Sequence, residues 1–143
     1  MSSSLHLVVR SIHVLGMAIA LGGSVLAWQL LGSDDQDPIP SLRRFEWLFW
    51  GAIGLLVATG VGNLGTLGPP GPSTSWGAVL TAKLLVVFAL VVGSAVRSLA
   101  VLRLQDRDRA ASDHAHARLR TLYAGTAWSL VLVVALAEVL AHG

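Results

Sequence analysis

The sequence has no cysteine and only two methionines among 143 residues. The first absence excludes a disulfide framework, a thiolate zinc site and a cysteine nucleophile, and it leaves the redox compartment open. Charge is scarce as well: Asp, Glu, Lys and Arg make up 13% of the chain, about half the roughly 25% usual in a soluble domain. With 54% hydrophobic residues and a mean hydropathy of +0.68, that supply cannot furnish a water-facing surface. A cytosolic globule, a disordered tail and a nucleic-acid-binding module are therefore excluded. The pI of 9.9 does not reopen nucleic acid, because the net charge is only +2 and the arginines gather at particular connections. What remains is an integral membrane protein.

A helix needs about 20 mainly apolar residues to cross the hydrocarbon core. Residues 5–31, 45–67, 76–102 and 119–141 each qualify, which predicts one all-α transmembrane domain over 1–143. Gly32 to Ser41, with three aspartates and two prolines, breaks the first pair of spans, and Ser41 is placed to cap the second helix. Gly68 to Ser75 is a short stiff turn with Ser75 as the expected cap, and Arg103 to Arg118 alternates charges as a solvated connection does. Short connections make sequential helices antiparallel neighbours, so the expected architecture is an up-down four-helix bundle. Ala18-Ile19-Ala20 mimics a leader cleavage site, but no Lys or Arg precedes Arg10 and the apolar run continues to Leu31, so a true span is expected.

Arginines accumulate on the cytoplasmic side of membrane proteins. Arg43, Arg44, Arg103, Arg107, Arg109, Arg118 and Arg120 flank the first and third connections, against Arg10 alone near the other side. Both termini are therefore expected outside. Trp28, Trp47 and Trp50 near the inner interface and Trp76 near the outer one fit aromatic belts.

Polar residues inside the spans are costly in lipid, face the bundle interior and mark function. They are His6, Arg10, His13, Gln29, Glu46, Asn63, Lys83, Arg97 and Glu138. At about 1.5 Å rise per residue, His13 lies about 12 Å below Leu5, Lys83 about 10 Å below Trp76 and Asn63 about 6 Å from Leu67. Glu138 is within a turn of the outer end of the fourth span. All four spans thus send a polar group into the outer half, whereas Gln29, Glu46 and Arg97 belong to the inner half, where Glu46 and Arg97 can reach the interface. His6, Arg10, His13 and Met17 follow the spacing of one helical face. A lysine as deep as Lys83 costs roughly 2.5–3.5 kcal/mol on insertion, so it is expected to pair with Glu138 or to face a polar cavity. His114 and His116, two apart, do not share a helical face and read as surface residues. Gly16, Ala20, Gly51, Gly54, Ala58 and Gly62 allow close helix contacts. An offset of 70 residues aligns His13 with Lys83 and Gly23-Ser24 with Gly93-Ser94, in the manner of a parallel two-helix repeat. No phosphate loop, nucleophile–base pair or His-Glu-x-x-His occurs.

With these residues placed, the chain resembles the copper-resistance D (CopD) family of bacterial inner-membrane proteins. The resemblance rests on His13-Val14-Leu15-Gly16 leading to Leu21-Gly22-Gly23, Arg44-Phe45, Thr59-Gly60-Val61-Gly62-Asn63, and Trp76-Gly77-x-x-Leu80-x-x-Lys83-Leu84. These motifs cover about the first two-thirds of the chain. The resemblance implies copper handling from the periplasm, beside a small periplasmic copper carrier or within a larger membrane complex. More distantly, the chain is similar to the HemJ-type protoporphyrinogen oxidases, which implies haem b. Either resemblance puts His13 and Lys83 at the site.

Copper(I) prefers thiolate and thioether ligands, and here one site in the outer half is available from His13, His6 and Met17. Arg10, Lys83, Asn63 and Glu138 would line it. Haem b needs one axial histidine inside a bundle and cations near its propionates, which His13, Arg10 and Lys83 supply. Three readings stay open: a copper-handling protein, a haem b protein (as an enzyme, a haem-dependent oxidoreductase), and a cofactor-free accessory subunit.

Overall fold

A computed structural model describes residues 3–33, 37–67, 73–104 and 112–142, and within these not the side chains at 3, 6, 62–67, 112, 141 and 142. His6 and Asn63 therefore lie outside the described residues as far as their side chains are concerned. The described residues form four helices: α1 (Ser3–Leu30), α2 (Ile39–Leu67), α3 (Ser75–Leu104) and α4 (Ser112–His142). Each has 28 to 31 residues, about 42–46 Å of helix, more than the roughly 30 Å hydrocarbon core requires.

Two helix starts differ from expectation for a local reason. At α2 the backbone carbonyl of Pro38 accepts from Leu42 N at 3.0 Å, and Asp37 Oδ1 accepts from Ile39 N at 3.1 Å. Asp37 thus serves the first turn six residues before the expected span, and Pro40 sits where no N–H is needed. Ser41 is already helical. At α3 the cap is Thr74, whose Oγ1 accepts from Gly77 N at 3.0 Å; Ser75 is the first helical residue.

The helices pack in cyclic order, with α1 against α2 and α4, and α3 against α4 and, along a much shorter seam, α2. Contacts run antiparallel: His13 and Gly16 meet Thr59 and Leu56, and Gly23 meets Phe45. At the opposite corner Trp76 Nε1 donates to Leu140 O at 3.3 Å. The two ends of the bundle are called here the terminal end, where α1 begins and α4 ends, and the arginine end, where Arg43, Arg44, Arg103, Arg118 and Arg120 lie.

Two apolar clusters fill the interior. One, at mid-bundle, holds Ala20, Phe49, Ala52, Ile53, Leu56, Leu90 and Leu130; the other, near the arginine end, holds Ala27, Leu42, Val101, Leu119 and Tyr123. Close approach of α1 to α2 depends on glycine. A Cβ at Gly23 would overlap the Phe45 ring, and one at Gly16 would stand 3.3 Å from Leu56 Cγ. Gly51 and Gly54, by contrast, have open space around them and Ala58 is exposed, so those residues face outward rather than making the contacts expected of them. Large apolar side chains cover the outside, among them Trp47, Phe88 and Trp128 at 76%, 69% and 74% exposure. All four helices are long and apolar enough to cross a membrane, and lipid is the solvent for that surface.

Candidate functional site

On α1, His13 lies on the same face as Gly16, Ala20, Ser24 and Ala27, all buried. On α3, Lys83 leads a face continued by Leu90, Ser94, Arg97 and Val101, also buried. Both residues therefore start on stripes that run into the core, yet both are only partly buried. The cause is visible in the packing: toward the terminal end, the apolar clusters stop at Leu56 on α2 and Leu90 on α3. Beyond that level His13, Thr59, Gly60 and Lys83 are partly exposed.

His13 Nδ1 lies 2.7 Å from Thr59 Oγ1. The threonine has one hydroxyl proton, and it is donated to Leu55 O at 2.8 Å, with Leu56 O at 3.2 Å. With that proton on Leu55 O, Thr59 Oγ1 accepts from His13 Nδ1–H, the tautomer that presents the lone pair on Nε2. A hydrogen-bond acceptor on the other ring nitrogen, which fixes tautomer and ring orientation, is the usual companion of a ligating histidine. Lys83, across the bundle, is within electrostatic reach of His13 and has no hydrogen-bond or ion-pair partner among the described residues.

The other expected site residues are less convergent. Arg10 and Glu138 are exposed toward the terminal end, and Met17 packs against the mid-bundle cluster. Among the described residues, no group of three or more His, Asp or Glu is placed to hold a metal ion. His114 and His116 lie in the first turns of α4, at the other end from His13.

The structure forms its buried ion pair elsewhere. Arg97 donates from Nε to Glu46 Oε1 at 2.8 Å and from Nη2 to Oε2 at 3.1 Å, with Arg97 0% and Glu46 7% exposed. These two, which the sequence allows to reach the inner interface, pair inside the bundle instead. They lie at equal depth on adjacent antiparallel helices, seven residues from Ile39 and from Leu104, and pairing inside is cheaper than separate snorkelling. Tyr123 Oη and Ser98 Oγ donate to the same carboxylate, and Arg97 Nη1 donates to Thr126 Oγ1 at 2.6 Å. The guanidinium lies 4.3 Å from the Phe49 ring centroid and 4.6 Å from that of Tyr123. Trp50, expected in the aromatic belt, turns inward and donates its indole N–H to Ser98 Oγ at 2.9 Å. Equal depth on α2 and α3 was the available sequence signal for this network; the roles of Tyr123, Thr126 and Thr59 had none.

Comparison with known proteins agrees with this architecture. The family model described as "Copper resistance protein D" (CopD) matches residues 39–140, so the match spans α2 to α4 and leaves α1, with His13, outside it. The sequence motifs had put the resemblance on the first two-thirds of the chain instead. The chain is also 36% identical over 118 residues to "Inner membrane protein YebZ" of Escherichia coli (strain K12). That alignment takes in 77% of this chain and 41% of the relative, so the chain spans under half of the relative's length. No solved structure matches it significantly. The four spans and this relative place the chain in the inner membrane as a multi-pass protein. A family match over most of the chain, on a bundle of four membrane-spanning helices, makes it a member of the copper resistance protein D family.

Proposed function

We propose that this protein handles copper as a substrate in the half of the bundle at the terminal end, with His13 Nε2 as the principal ligand. The observation that carries the reading is the His13–Thr59 hydrogen bond, which leaves Nε2 as the nitrogen with a lone pair. The family description supplies the metal. Met17, one turn further in on α1, supplies a thioether only by leaving its packing against the core. His6, Asn63, Arg10 and Glu138 complete the expected surroundings. A single firm ligand suits exchange with a carrier better than permanent storage. The arginine end faces the cytoplasm by the positive-inside rule, so the site opens to the periplasm.

Haem b is the second reading. Haem needs one axial histidine, which His13 would supply. Lys83, within reach of His13, repels a bare cation and attracts an anionic group such as a propionate. Bound there, haem would supply one-electron chemistry, while this chain's part would be to hold the iron from His13 and orient the propionates with Lys83 and Arg10.

The deciding measurement is a visible absorption spectrum with elemental analysis of the protein purified in mild detergent. Bound copper without a Soret band supports copper, a Soret band supports haem, and His13→Ala should abolish whichever is found. A His13→Ala protein that retains its full load would overturn both readings.

A further inference from the structure

The polar network and the two apolar clusters occupy the bundle axis below the partly exposed His13 and Lys83, and they block it. From Leu56 and Leu90 to Leu42 and Val101, buried residues of all four helices fill the interior. Along α2, from Leu56 to Leu42, this plug is about 21 Å thick. Toward its arginine end Glu46 accepts from Arg97, Tyr123 and Ser98, so its oxygens offer no vacant position to a passing ion. Arg97, fully buried between two aromatic rings, neutralises the Glu46 carboxylate, so the path offers a passing cation no free negative charge.

We infer that this bundle is a one-sided vestibule: a ligand at His13 enters and leaves by the terminal end, and the axis of the bundle does not conduct. The inference rests on the proposed site only for where the ligand sits; the seal stands on packing alone. A transfer partner for copper must then meet the protein on the side of the termini. Copper crossing the membrane would need a path outside this four-helix unit.

The sequence has no cysteine, so single-cysteine variants of the full chain need no background changes. Gly60→Cys probes the vestibule, where an added Cβ meets only the His13 ring edge at 4.0 Å. Ser24→Cys and Ser94→Cys probe the seal, at positions 0% and 1% exposed. Each is reconstituted in vesicles and treated with a membrane-impermeant thiol reagent from one side or the other. Gly60→Cys should react from the terminal side only, and Ser24→Cys and Ser94→Cys from neither side until the protein is denatured. Reaction of either seal position in the folded protein, or of Gly60→Cys from the arginine side, would overturn the inference. So would an inert Gly60→Cys.

In a second arm, wild-type vesicles are given copper(I), and binding and influx are read separately. Binding without influx above protein-free vesicles is expected, and saturable influx overturns the seal. Absence of copper binding with the same labelling pattern removes the copper reading and leaves the one-sided vestibule standing.

Discussion

Arg97 grips Glu46 through two N–H···O contacts, 2.8 and 3.1 Å long, inside the membrane-spanning part of the bundle. Glu46 comes from α2 and Arg97 from α3, the pair of neighbours with the shortest seam. The described side-chain hydrogen bonds between these two helices, Glu46–Arg97, Glu46–Ser98 and Trp50–Ser98, all lie at this level. The network therefore sets how α2 and α3 meet.

Arg97→Met strands a buried carboxylate, and losing one partner of a buried pair costs about 3–5 kcal/mol. The triple change Glu46→Leu, Arg97→Met and Tyr123→Phe removes the charges together with the phenol that would lose its acceptor. It should recover most of the thermal stability in detergent lost by Arg97→Met. Equal losses in the two proteins would mean that packing around the guanidinium, rather than charge pairing, holds this region.

Thr59→Val keeps the shape of the side chain and removes the acceptor for His13 Nδ1–H. Loss of such a partner typically weakens metal affinity about 10–100-fold. Thr59→Ser should retain near wild-type affinity, because its hydroxyl can take the same role. His114→Ala with His116→Ala should bind normally. Titration of copper or haem into the purified proteins compares them, and a binding defect in the double His variant alone would move the site to the arginine end.

Lys83 has no ion-pair partner among the described residues, so Lys83→Met should assemble normally and lose ligand binding. Adding Glu138→Leu should not restore it. Size-exclusion profile and ligand load, measured on the same preparations, separate assembly from function. A fully loaded Lys83→Met, Glu138→Leu protein would reduce Lys83 to a dispensable charge.

Gly23→Ala forces the Phe45 ring to move, and overpacking of this kind costs about 1–3 kcal/mol. Gly51→Ala meets open space and should be neutral or slightly stabilising. Thermal unfolding in one detergent distinguishes them, and equal melting temperatures would mean that α1 and α2 part easily.

A periplasmic reporter fused at Gly143 should be active, and a cytoplasmic one silent, if the arginine end faces inward. The reverse pattern would turn the vestibule toward the cytoplasm without altering the seal.

The number of spans, their antiparallel order and the arginine-rich end were determined by the sequence itself. These depend on quantities local to each segment: apolar length, turn residues and flanking charge. His13 and Lys83 also stood out without a structure, because an ionisable group surrounded by leucine and valine is visible one residue at a time. Three things needed the tertiary structure: the union of Glu46 with Arg97, the bond from Thr59 to His13, and the level at which the core stops. In a soluble helix the apolar stripe fixes rotation about the helix axis, since water takes one side and the core the other. In a membrane, lipid and core accept the same side chains, so the pattern leaves that rotation free. Only packing between helices, through Gly16 and Gly23 on α1 and through the arginine network on the other three, decides which polar groups meet.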